Sequence, residues 1–77
     1  MHVTERAIHV TVRFLRQHAG PISVEALAER ISYSYPHTNR ILAALRSSNL
    51  ITSSRPERSR ALEYHVNEET ARRLGLL

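Results

Sequence analysis

The chain has 77 residues, 42% of them apolar and 23% charged, with a net charge of +4 at neutral pH. That amounts to one small globular domain, near the size at which a single core only just outweighs chain entropy. The absence of cysteine excludes a disulfide framework and thiolate metal sites, and no apolar run approaches the roughly 18 residues of a membrane span.

The N-terminal MHVTERAIHV lacks the charged-then-apolar order of a signal peptide, so a cytoplasmic chain is expected. All eleven basic side chains are arginine. GC-rich coding produces that bias, and so does a need for bidentate recognition of phosphate and guanine. Arg55, Arg58 and Arg60 fall within six residues, whereas the acids lie mostly in the first, second and last predicted helices. A basic strip on a nearly balanced body is the electrostatic footprint of a nucleic-acid partner.

In chain order, the first helix is predicted over 4–18. Ile8, Val12 and Leu15, with Ala7, Val10 and Phe14, recur at helical spacing and form a wide apolar stripe. Thr4 is the expected N-cap and Glu5 suits the helix dipole. Gly20 and Pro21 stop the helix, with Gly20 as left-handed cap. Pro21 and Ile22 leave room for one short extended piece. Ser23 then caps a helix over 24–31 with Val24, Leu27, Ala28 and Ile31 inward, and Ser32 and Tyr33 make a turn. Ser34 caps the next helix, over 35–48, with Pro36 in the first turn where its missing N–H costs nothing. Asn49 is the expected left-handed residue at its end.

A β-hairpin is predicted over 50–66, with strands 50–55 and 60–66 joined by Pro56, Glu57, Arg58 and Ser59. In the return strand Leu62, Tyr64 and Val66 alternate with Ala61, Glu63 and His65. Asn67 caps a last helix over 68–74, and the tail Gly75-Leu76-Leu77 has no assignment. The fold class is therefore α+β, mostly helical, with one small hairpin.

This order resembles the winged helix-turn-helix fold over nearly the whole chain. The residues that carry the resemblance are Leu27-Ala28-Glu29-Arg30-Ile31, Ser34, Asn39-Arg40-Ile41-Leu42, Leu45 and Asn49-Leu50-Ile51. They are similar to the pattern of small MarR-like and ArsR-like transcription regulators. Ser32 stands where those proteins have a turn glycine, Asn49 where they have a glycine before Leu-Ile, and Thr38 where they have a buried valine. The Z-DNA-binding type of winged helix shares the Asn-Arg-x-Leu run. It would place a tyrosine where this chain has Ala43, and a tryptophan in the wing, which this chain lacks.

On a helical wheel the third helix turns Thr38, Ile41, Leu42 and Leu45 to the core. Its other face holds Pro36, Arg40, Ala43 and Ser47, flanked by His37, Asn39 and Ala44, with no large aliphatic residue. Small residues let a helix sink into a major groove, where Arg and Asn match guanine and adenine edges. The resemblance implies that the start of this helix meets the bases. The candidate DNA-binding residues are therefore Ser34, Tyr35, His37, Asn39, Arg40 and Ser47, with Arg55, Arg58 and Arg60 on phosphates or in a minor groove. Each has a plainer reading: a solvated residue, a helix cap at Ser34, and charges that keep the hairpin from edge pairing. Arg30 either pairs locally or touches the backbone.

An enzyme is not expected. The five histidines form no i, i+4 pair. There is no paired carboxylate, nucleophile elbow or phosphate-cradling glycine loop, and no metal, cofactor or small-molecule effector is indicated.

The expected function is sequence-specific binding of double-stranded DNA in transcriptional regulation, repression before activation because no activation surface is visible. Two alternatives stand: a winged helix that binds protein through an apolar face made by Val3, Val10, Leu76 and Leu77, and a phage or plasmid architectural protein of the excisionase kind. A homodimer through the first helix and the C-terminal residues would supply two half-sites.

Overall fold

A computed structural model of the chain describes residues 3–57 and 59–77. Among these it is a small α+β protein of four helices and a two-stranded antiparallel hairpin: α1 (Glu5–Gln17), α2 (Val24–Ile31), α3 (Tyr35–Ser47), β1 (Ile51–Ser54), β2 (Glu63–Val66) and α4 (Glu68–Arg73). No helix among the described residues is long and apolar enough to cross a membrane.

Each helix begins on a side chain that accepts an otherwise unpaired backbone N–H. Thr4 takes Ala7 and Ser23 takes Ala26, both at 3.1 Å. Ser34 takes His37 at 3.2 Å and Asn67 takes Thr70 at 3.1 Å. A cap of this kind contributes about 1 kcal/mol, a sizeable share for a chain this short.

The helix ends are just as local. After α3, Asn49 is left-handed at φ 59°, which lets its N–H reach Arg46 O at 3.0 Å and Leu50 N–H reach Leu45 O at 2.9 Å. The same pair of bonds closes α4: Gly75 N–H to Arg72 O at 3.1 Å and Leu76 N–H to Ala71 O at 2.8 Å. The tail left unassigned from sequence is thus a helix stop whose Leu76 folds back onto the core. α1 behaves differently. Gly20 is left-handed, but the helix has already ended at Gln17, and extended His18 is its cap.

The core lies between the inner faces of α1, α2 and α3 and one face of the hairpin. Leu27, Ile41 and Leu45 are wholly buried, and Val12 and Leu42 nearly so. Burying each such side chain is worth about 1.5–3 kcal/mol. Thr38, where a valine was the natural expectation, is also wholly buried, and its hydroxyl donates to Ser34 O at 2.8 Å. A polar side chain fits that site because it carries its own partner with it.

The strands are shorter than the alternating pattern predicts. Leu50 is spent on the exit of α3 and on α4, whose cap residue Asn67 donates its N–H to Leu50 O at 2.8 Å. At the other side Ser59 Oγ binds both Ala61 N and Ala61 O at 3.1 Å, which curls the chain before β2. Leu62 pairs away from β1: Ile22 N–H donates to its carbonyl at 2.9 Å, an isolated antiparallel bridge that brings the α1–α2 connection alongside the hairpin.

Val3, Val10 and Leu76 pack against the core, so the exposed aliphatic residues near the C-terminus are Leu74 and Leu77. Thr11, which carried no burial expectation, is wholly buried with its hydroxyl unpartnered.

Candidate nucleic-acid interface

α3 is built with two unlike faces. Thr38, Ile41, Leu42 and Leu45 are at most 1% exposed, while Tyr35, Pro36, Asn39, Arg40, Ala43, Arg46 and Ser47 are all exposed. The helix, YPHTNRILAALRS, contains no acidic residue. Its N-terminal dipole therefore has no carboxylate to offset it, and an external anion is favoured there.

The sequence candidates are distributed as follows. Ser34 is exposed, with its hydroxyl engaged as the cap of α3. Tyr35 is 49% exposed, an unusual degree for a large ring. Asn39 and Arg40 follow on the next turn, both exposed, and Ser47 closes the same face. His37 departs from this group. It is half-buried, its ring lies 5.0 Å from that of Tyr33 at a tilt of 48°, and its Nε2 is buried with no hydrogen-bond partner. His37 thus packs onto the turn between α2 and α3 instead of standing clear of it.

The hairpin loop separates its arginines by role. Arg55 Nη1 donates to Ser59 O at 3.1 Å and Arg60 O at 3.2 Å, so its guanidinium braces the loop across its own base. Arg60 is exposed. Arg58 lies outside the described residues.

Two arginines pack on aromatic rings supplied by other segments, and Arg46 thereby joins α3 to its support. Arg46, in the last turn of α3, sits over the Tyr64 ring at 5.9 Å from its centroid. Arg30 of α2 sits over Phe14 of α1 at 5.0 Å, a contact within the protein that was not foreseen from the sequence. The basic last turn of each helix is visible in the sequence, but the aromatic partner comes from a distant segment. From Ser34 to Arg60 the chain carries five arginines and one glutamate, Glu57. Among the described residues no three His, Asp or Glu side chains gather where they could hold a metal ion.

Compared with protein-family models, curated proteins and solved structures, the chain finds no match.

Proposed function

We propose that this chain is a winged helix-turn-helix domain that binds double-stranded DNA, with α3 in the major groove and the hairpin loop on the adjacent backbone, and that it acts as a transcriptional repressor. The observation that carries the reading is the construction of α3. Its inner face is locked in the core, and its outer face offers Tyr35, Asn39 and Arg40 beside the small residues Ala43 and Ser47. A helix about 10–12 Å across with side chains fits a groove about 12 Å wide only if nothing bulky stands in its path.

The order of elements supports the reading as well. A helix, a bridging residue, two helices about a tight turn and a hairpin follow one another, with Ile22 paired to Leu62. In this arrangement Arg40 and Asn39 supply base contacts. Tyr35 stands near the bases, Ser34, Ser47 and Arg60 supply backbone contacts, and Arg55 holds the loop in shape.

The test is titration of the purified protein into random-sequence duplex DNA at several salt concentrations, with sedimentation for mass. Binding that weakens with salt at a slope of about −0.9 per phosphate contact is expected. A protein that stays unbound at low salt removes the proposal. Sedimentation on DNA then distinguishes one copy from two on adjoining half-sites.

A further inference from the structure

A groove on the outer side of α1 is not used by the DNA reading. Arg6, His9, Val10, Arg13, Phe14 and Gln17 line an open depression of about 440 Å³. A second, of about 230 Å³, continues from Phe14 and Gln17 to His18 and Arg30. The six α1 positions recur every three or four residues, so they share one helix face. At 1.5 Å per residue the groove runs about 16 Å, some three helical turns.

Its floor is apolar and its walls are cationic. Val10 and Phe14 are half-buried, with one side on the core and the other facing the groove. Arg6 and Arg13 are exposed, and among the described residues neither has an ion-pair partner. Arg30 is set over Phe14 at 5.0 Å, and that ring also stacks on His18 at 5.2 Å. His18 Nε2 is buried with no hydrogen-bond partner. No acidic residue lines either depression.

We propose that this groove docks an acidic amphipathic helix of another protein, about three turns long. The partner sets apolar side chains on Val10 and Phe14 and carboxylates against Arg6, Arg13 and Arg30, with anchors at the i, i+3/i+4, i+7 spacing of helix-in-groove recognition. Charge selects this occupant over a second copy. The groove carries Arg6, Arg13 and Arg30 and no acid, so a self-paired α1 would bring like charges together. The apolar floor selects it over a nucleic acid, whose phosphates gain nothing from Val10 and Phe14. Stacking on Phe14 holds Arg30 in place in advance, which lowers the ordering cost of pairing. The proposal does not depend on DNA binding.

The experiment pans a phage-displayed library of random 16-residue peptides on the full chain. The best enriched sequence is then synthesised and titrated into ¹⁵N-labelled protein. Enriched peptides are expected to pair Asp or Glu with Leu, Ile or Phe at helical spacing. Amide shifts are expected at α1 and Arg30, with Tyr35–Ser47 unmoved. The R6E/R13E double variant changes only exposed side chains, and it is expected to bind the peptide at least tenfold more weakly, with a smaller fall in affinity for duplex DNA from the lost net positive charge.

Failure to enrich any peptide, enrichment without acids, or full binding by R6E/R13E overturns the proposal. So do shifts confined to α3, an equal loss of DNA affinity in the double variant, and binding to phosphatidylserine vesicles that the double variant abolishes. A dimer in sedimentation whose interface maps to α1 assigns the groove to a second copy and overturns it too.

Discussion

The guanidinium of Arg46 lies over the ring of Tyr64, 5.9 Å from its centroid, and so joins the last turn of α3 to β2. Such a contact is worth about 0.5–1 kcal/mol where solvent reaches it. Tyr64 is only 6% exposed and its hydroxyl has no hydrogen-bond partner. Arg46 comes near enough to act on the phenol electrostatically without making a bond of good geometry. Burial raises the phenol above its ordinary value of 10.0, while Arg46 and Arg55 oppose the rise.

A folded-state value above the unfolded one contributes stability that is complete below the unfolded value, about 10, and is lost as pH rises through the folded value. Tyr64→Phe therefore removes a loss of stability in alkali. Near neutral pH the variant is unchanged or slightly more stable, because a buried hydroxyl without a partner costs about 1–3 kcal/mol. Thermal melts between about pH 7 and 11 check both points, and an alkaline loss retained by the variant would assign it elsewhere.

The opposite sign holds for the ion pair between α1 and α4. Arg16 Nε donates to Glu68 Oε2 at 2.9 Å and Arg16 Nη2 to Oε1 at 3.2 Å, tying α1 to α4. The bond from Arg16 holds the Glu68 carboxyl below its ordinary 4.5, with Arg72 adding to the effect. A lowered value contributes stability present above the unfolded value and lost as pH falls through the folded one. Glu68→Gln should flatten that acid limb in melts below about pH 5. The change at neutral pH is small because both groups are solvated.

For DNA affinity, Arg40→Ala should cost on the order of 1–3 kcal/mol and relax preference at one base pair. Competition binding against a set of single-base variants of the selected site measures this. An equal loss on every sequence would make Arg40 a phosphate contact instead.

Arg60 and Arg55 should fail differently. Arg60→Gln weakens all duplexes alike and makes the salt slope shallower by about one unit. Arg55→Gln also loses two bonds across the loop, so its amide order parameters near Ser59 should fall even without DNA. A rigid loop in the Arg55 variant would mean that the bonds to Ser59 and Arg60 do not hold it.

Ser32 adopts φ 63°, a left-handed conformation that L side chains avoid. Ser32→Gly relieves that strain, less the added entropy of the unfolded chain, for a net gain of about 0.5–1 kcal/mol. Urea denaturation reads it as a higher midpoint at unchanged slope.

Whatever is periodic or short-range in this fold was open to sequence reasoning. Thr38, Ile41, Leu42 and Leu45 are buried because they fall on one stripe, and Ser23, Ser34 and Asn67 cap because their oxygens lie three residues from the N–H they accept. Pairings across the chain have no such signature. Arg30 on Phe14, Arg46 on Tyr64 and the Arg16–Glu68 bridge each join segments that only the packed core brings together. Strand ends escape the pattern for a related reason, since the alternation runs through Leu62 but its carbonyl serves Ile22. Within the candidate site, exposure of Asn39 and Arg40 followed from the wheel, whereas the packing of His37 on Tyr33 did not.

Leu50 occupies a position through which three elements are hinged together. Its N–H is bound to Leu45 of α3, its carbonyl accepts from the cap of α4, and β1 begins at the next residue. α3 therefore has little freedom to pivot, because any rotation would drag the hairpin and α4 along with it. A helix held in this way cannot adapt its angle to a poorly shaped surface. Under the proposed function the adjustment falls on the duplex, and the energy of bending it becomes part of how the protein discriminates among sequences.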